Sequence, residues 1–570
     1  RNNSNDFGGG ILLDGDTAPI VRDCIIVDNY SSYLGAGIGC YGSKPIISNV
    51  VFINNSGGGG GLGLKSSGNH NSYATVTNSV FYNNGENNDI KFIESSEGIG
   101  NRLDISYSML INGEDSVNTT SNDTITWGSG NIDVDPMFVD TANGNYNLLA
   151  SSMLINAGHP DSTDSDGSRA DIGAFPYLNS YSGPTWYISE SGNDTTATGA
   201  SGDPFRSIQA GINFSSSGDS VTVAAGTYVE NINFRGRNIK VAGANRETTI
   251  IDGDSSGSVV IFDGSEDSTA VLSGFTITNG NGSGITGYGG RGGGVFCINS
   301  SPTLNDLTVD GNQAENSGAG LWFGYSNSQL VDLIISNNSV VGQGSNAGGG
   351  ISMNYYSDLT LNNMLLVGNE AVYGAGIELW RYSKPLLNNV TIVGNTGSFG
   401  GGLLLSGGCN ATLINSILWG NAPHEIMIGV SQTPDSASIS YSDVFGGQDS
   451  IHTNDNGIIT WGEGNIDVDP MFVDATNGDY HLADWSPCIG ACQDGTDMGA
   501  YENPLSSPVE HIVIVSDTLL VLEDSSAAID LQDNDLVLNV TALVLTILDS
   551  SSHGNISIAG DTMLTYTPDP

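Results

Sequence analysis

Basic side chains are scarce in this chain. Its 570 residues carry 15 Lys and Arg against 62 Asp and Glu, a formal charge of −47. That balance repels a phosphate backbone and so excludes nucleic acid as a partner. It suits solubility in salty or extracellular surroundings, and equally suits carboxylate clusters that take calcium. Cysteine is sparse too, and six in a chain of this size make no disulfide scaffold. Cys24 and Cys297 fall at inward positions of their strands and read as small buried hydrophobes, whereas Cys488 and Cys492 would pair only in a tight turn. No run of about 18 apolar residues occurs, which excludes a spanning helix. There is no GxSxG, HExxH or P-loop, and the seven His show no metal-ligand spacing. The chain opens without Met or a targeting segment. Its first residues, RNNSNDFGGGI, resemble SNAGGGI at 345–351, so it reads as beginning inside a repeat with its N-terminus upstream.

What the chain does have is glycine, 79 residues of it, on a regular beat. The last glycine of each triplet or its variant is Gly294, Gly320, Gly350, Gly376 and Gly402, in steps of 26, 30, 26 and 26. Asparagines close the paired strands at Asn312, Asn338, Asn369, Asn395 and Asn421, in steps of 26, 31, 26 and 26. Two markers with one period identify a solenoid, and a period this long holds about three short strands, one coil of a parallel β-helix. Val295, Leu321, Ile351, Ile377 and Leu403 follow the glycines, and Cys297, Phe323, Met353, Leu379 and Leu405 lie two residues on. Period-two apolar positions point inward and stack on their equivalents one coil away. Glycine at the strand entry predicts positive φ there, and asparagine at the exit predicts left-handed backbone and a side-chain ladder.

A larger repeat lies over the first. ITWGSGNIDVDPMFVD at 125–140 returns as ITWGEGNIDVDPMFVD at 459–474, an offset of 334 residues. Residues 1–178 read as the C-terminal part of one β-helix, 179–183 as a linker, and 184–504 as a complete second β-helix. Its opening cap contains a short helix around 207–214. The cap, the GGGI coils, SILWGN at 416–421 and the closing GNIDVDP with MGAYEN resemble secreted bacterial right-handed parallel β-helix proteins of the pectate-lyase-like superfamily. The glycine-aliphatic and FxxN elements, such as FINN at 52–55 and FYNN at 81–84, are similar to repeats of polymorphic outer-membrane adhesins. Residues 508–570 alternate in the strand period and resemble a cadherin-like or bacterial immunoglobulin-like module cut short at its C-terminus. The implied fold is all-β: two tandem right-handed parallel β-helices, the first incomplete, then a partial immunoglobulin-like sandwich.

Chemistry is thinner. A β-helix lyase needs a base and charges that hold an acidic sugar, and a glycosidase needs converging carboxylates. The second β-helix offers Glu378, Arg381 and Lys384 in GIELWRYSKP, while the first repeats only the lysine, as Lys44. The expectation is therefore no enzyme. Aromatic residues are more suggestive: Phe296, Trp322, Tyr325, Tyr355, Tyr356, Trp380 and Tyr382 recur at outward or turn positions. They form either a flank that stacks on sugars or another protein, or rings covered by a loop of the same chain. Candidate calcium ligands are Asp161, Asp164 and Asp166 in DSTDSDG, the pairs Asp133 with Asp135 and Asp467 with Asp469, and Asp533 with Asp535; turn capping is the alternative. Taken together these features point to an extracellular or cell-surface structural or adhesive protein that self-associates as a stalk, filament or surface layer. The alternative is a polysaccharide-binding protein, or a lyase or hydrolase, acting on an acidic glycan through the outer face of the second β-helix.

Overall fold

The computed structural model describes residues 2–4, 6–85, 88–94, 99–285, 287–342, 346–429, 432–454, 457–504, 511–513, 517–522, 525–531, 536–538, 546–547, 551–559 and 562–569. Up to residue 504 they form a parallel β-solenoid, and no helix among them is long and apolar enough to cross a membrane. Two compact units are present, residues 1–233 with 237–249, and residues 234–236 with 250–570.

In the second unit the strands Val295–Ile298, Leu321–Gly324, Ile351–Asn354, Ile377–Trp380, Leu403–Ser406 and Ile426–Ile428 pair in parallel without slipping register. Each apolar column expected from the sequence is fully buried, as Ile351, Ile377 and Leu403 show at 0% exposure. Full burial of one such side chain contributes about 1.5–3 kcal/mol, and every coil repeats it. A second sheet stacks Leu304, Leu330, Leu361, Leu387 and Leu413 in the same way. Its long strands turn at Asp306, Asp332, Asn363 and Asn389, whose φ angles are 53°, 57°, 53° and 53°. Asp and Asn tolerate that left-handed conformation better than other side chains.

Glycine and asparagine work differently from the expectation. Positive φ belongs to the first glycine of the group, as at Gly374 with φ 55°. The last glycine is required by packing: a Cβ on Gly376 would sit 2.6 Å from the carbonyl oxygen of Gly402. Likewise the ladder asparagines are not left-handed; the residue before each is, for example Asn337 at 54° and Gly368 at 65°. The ladder itself is complete. The backbone and side-chain nitrogens of Asn312 both donate to Asn338 Oδ1, at 3.0 and 3.0 Å. Asn338 donates to Asn369, Asn369 to Asn395 and Asn395 to Asn421. The last acceptor is the Glu425 carboxylate, which takes both nitrogens of Asn421. The first unit builds the same column from Asn29, Asn55 and Asn84, ended by Asp89. A carboxylate fits there because the ladder's last member presents two donors and no further asparagine is available to accept them.

The first unit continues through an antiparallel ribbon, Phe138–Asp140 with Asn145–Leu148, over a core that includes Val51, Val80, Leu154 and Ile172. Helix Ile208–Phe214 packs beyond it, and Asn213 Nδ2 donates to the carbonyls of Ala150 and Ser152 at 3.0 and 2.8 Å. Glu230 accepts from the free N–H groups of Ile208 and Gln209 at the start of that helix. The segment 179–183 is tied down by Asn179 Nδ2 to Thr198 O and by Tyr181 Oη to Thr185 O. Beyond residue 510 the strands are antiparallel: Ala527–Asp530 and Gly554–Ala559 flank Met563–Pro568, and His511–Val513 pairs with Leu536–Leu538.

Candidate functional site

The outer face of the strands Val295–Ile298 to Ile426–Ile428 carries the predicted aromatic residues, and the structure sorts them into two groups. Phe296 and Trp322 stack one coil apart with centroids at 4.9 Å and planes at 6°. Both are fully buried, because Tyr288 lies against them at 5.9 and 5.7 Å and Arg291 lies over Tyr288 and Trp322. Of the two alternatives, these two residues take the second: a loop of the same chain covers them.

Tyr325, Tyr355, Tyr356, Trp380 and Tyr382 stay within reach of solvent. Tyr325 stacks on Tyr355 at 5.2 Å and Tyr356 on Tyr382 at 5.1 Å. The Arg381 guanidinium lies 5.1 Å from the Tyr355 ring centre and 5.8 Å from that of Trp380. The backbone beneath them is unusual. Tyr325, Tyr355, Tyr356, Arg381 and Tyr382 have φ of 54°, 54°, 59°, 53° and 66°. The next coil fills this turn with Gly407 and Gly408, and the first unit with Gly42. A bulky side chain there costs on the order of 1–2 kcal/mol, so turn chemistry does not account for it.

Beside this ridge runs a groove of about 700 Å³. Its floor is Glu378, Leu404 and Met427, which stand one above another in the column that continues from Trp322 and Ser352. Tyr355, Trp380 and Arg381 form one wall; Tyr373 and Phe399 form the other. The last two stack at 5.1 Å and 12° and remain 41% and 43% exposed. Sequence reasoning missed them, although a signal existed. Each directly precedes its coil's positive-φ glycine and pairs with its equivalents in the column Arg291, Ser317, Ala347, Tyr373, Phe399.

Of the three candidate reactive residues, two meet at the groove. Ser352 Oγ donates to Glu378 Oε2 at 2.6 Å, and burial pushes the Glu378 carboxyl up to about 7 against the pull of that hydrogen bond. Arg381 lines the groove with Arg291, and among the described residues neither has a carboxylate within 4.0 Å. Lys384 lies outside, its amide donating to Asp358 at 2.8 Å.

The calcium candidates cap turns. Asp133 and Asp135 accept the N–H groups of Asn112 and Met137, and Asp467 and Asp469 those of Gly446 and Met471. Asp164 accepts from Asp171 N and Asp166 from Ser168 and Asn179, while Asp161 lies at the surface near His159. Asp533 and Asp535 lie outside the described residues. Among those described, no three His, Cys, Asp or Glu side chains converge as metal ligands.

No family model and no curated protein matches the chain. Solved structures are. A pectate lyase aligns over 56% of this chain and 96% of its own, with 15% identity and a TM-score of 0.37. Two pectin methylesterase structures, with hexasaccharides bound, each align over 54% of this chain and 99% of their own, with 13% identity and a TM-score of 0.24. These neighbours are enzymes, which corrects the expectation of a protein without catalytic function.

Proposed function

We propose that the chain binds an acidic polysaccharide along the groove of the second unit and acts on it there. The observation that carries this reading is the ridge of exposed rings with Arg381, held on left-handed backbone that the coil before leaves to Asn299 and the coil after to Gly407 and Gly408. Planar rings stack on the apolar faces of sugars, and the walls supply them on both sides. Arg291 and Arg381 give the groove two guanidiniums suited to carboxylate groups, in a chain that otherwise repels anions. Glu378 is the titratable floor residue, poised near neutrality and so suited to exchange a proton with a bound sugar. An extracellular or cell-surface setting, with the tandem β-helices and tail carrying the groove, is supported by the acidity and by the 334-residue offset of the sequence repeat.

The test is a panel of acidic glycans incubated with the native protein, followed by product chain length and by the absorbance of unsaturated ends. Glu378→Gln is expected to lower kcat with KM little changed, and Arg381→Ala to raise KM. A native protein that neither binds nor shortens any acidic glycan would overturn the reading.

A further inference from the structure

Two more arginines lack a carboxylate partner, and they converge in the first unit, at a place the groove does not reach. Arg169 sits in the closing loop of the first β-helix, where Nε donates to Gly158 O at 2.6 Å and Nη2 to Ala157 O at 3.3 Å. Arg237 comes from the opening of the second, and its Nε and Nη2 donate to the carbonyls of Ser215 and Asn213 at 2.9 and 3.2 Å. Both line a cavity of about 590 Å³ together with Ser168, Ser216, Ser217 and Trp186. Neither has a carboxylate within 4.0 Å among the described residues. Asp166 also lines the cavity, but its oxygens accept from Ser168 Oγ and from the backbone of Ser168 and Asn179. Burial lowers the Arg237 pKa to about 10, and the charge of Arg169 adds to the shift, so the two cations repel each other across this space.

Arg237, half-buried with no counter-charge beside it among the described residues, is costly unless something neutralises it, and Arg169, exposed and lining the same cavity, adds a second positive charge. Only 15 basic residues exist in the chain against 62 acids, so counter-ions of the chain's own were abundant. The guanidiniums instead spend Nε and Nη2 on neutral carbonyls, and Nη1 of each makes no hydrogen bond to the described residues. Ser216 and Ser217 also line the cavity with neutral hydroxyls. Arg169 also has no counterpart at the end of the second β-helix, where DMGAY aligned on DIGAF puts Gly495 in its place. The pair therefore belongs to the junction at which one β-helix is followed by the cap of another.

We propose that this cavity binds a sulfate or phosphate group, bridged by Arg169 and Arg237, and that the anion fastens the cap segment 207–217 to the closing loop 156–169. The oxyanion is either a free ion or an ester group on a polymer; the chemistry recognised is the same. It is independent of the groove, whose arginines are Arg291 and Arg381.

The experiment is thermal unfolding of the full chain in sodium sulfate, sodium phosphate and sodium chloride at matched ionic strength, with calorimetric titration of sulfate. At 100 times Kd a single bound anion stabilises by about 2.7 kcal/mol, so a saturable rise in Tm beyond that of chloride is expected. Arg169→Gln should abolish the excess, Arg237→Lys should weaken it by removing the fork, and Arg381→Ala should leave it intact. A sulfated oligosaccharide that saturates the effect at lower concentration than inorganic sulfate identifies the polymer as the source; the reverse order identifies the free ion. Equal responses to sulfate, phosphate and chloride, or an excess that survives Arg169→Gln, would overturn the proposal. Should Arg169→Gln fail to fold, unaltered sulfate affinity in Arg237→Lys would do so.

Discussion

Replacing Tyr356 and Tyr382 together by glycine removes two rings and leaves the left-handed turns that hold them. Their φ angles are 59° and 66°, and their rings stack at 5.1 Å with 59% and 41% exposure. Relief of left-handed strain returns roughly 1–2 kcal/mol per residue, while loss of the stacked pair and glycine's larger entropy cost remove about 1–3 kcal/mol in all. Stability is thus expected to rise by up to about 3 kcal/mol or to fall by no more than about 1 kcal/mol. Ligand affinity behaves differently, because a ring that faces solvent in the free protein acts only when a sugar lies on it. Two rings at about 0.5–1.5 kcal/mol each correspond to a roughly 5- to 150-fold rise in Kd. Thermal unfolding measures the first quantity and calorimetric titration with acidic oligosaccharides the second. A variant that loses several kcal/mol of stability while keeping its affinity would refute the reasoning, since the tyrosines would then be structural.

Stability should fall as pH rises. Burial holds Glu230, Glu378, Glu425 and Asp171 near 7 and Asp89 near 6, and raises Asp443, so the folded chain keeps protons that the unfolded chain releases from about pH 4.5 upward. The stabilisation from each raised group is complete below its unfolded value and lost on rising through its folded one. Tm is therefore expected to drop from pH 5 to pH 8, and Glu425→Gln to flatten that slope by up to about 3 kcal/mol. Asn369→Ala breaks the ladder, leaving Asn338's buried donors without an acceptor, and should cost about 2–4 kcal/mol by circular dichroism melts. Gly376→Ala places a Cβ 2.6 Å from the Gly402 carbonyl oxygen and should cost about 1–3 kcal/mol, whereas Gly202→Ala, with open space around it, should be neutral.

The sequence announced the solenoid because its period is written twice, in glycine and in asparagine, and one coil's register dictates the next. Inward columns such as Ile351, Ile377 and Leu403 followed directly. What it left ambiguous was the outer face, where alternation fixes direction but not cover. Phe296 and Trp322 point outward like Glu378, yet Tyr288 closes over them from a loop with no period of its own. Tyr373 and Phe399 were hidden for the opposite reason: they occupy a turn column whose other members are arginine, serine and alanine, so no aromatic pattern marks it. The role of each glycine was also illegible, since positive φ and close packing both demand glycine and only backbone geometry separates Gly374 from Gly376. The Arg169 and Arg237 pair is 68 residues apart in sequence and meets only through the packing of a cap on a closing loop.

The central claim rests on the groove, and calorimetric titration of acidic oligosaccharides of increasing length tests it most directly. Coils stack at about 4.8 Å, so affinity should rise with each added sugar until the aromatic walls are covered and then level off. It should fall at least tenfold in a Tyr373→Ala, Phe399→Ala double variant that melts like the native chain. Affinity indifferent to ligand length, or untouched by removing both wall rings, would contradict the account.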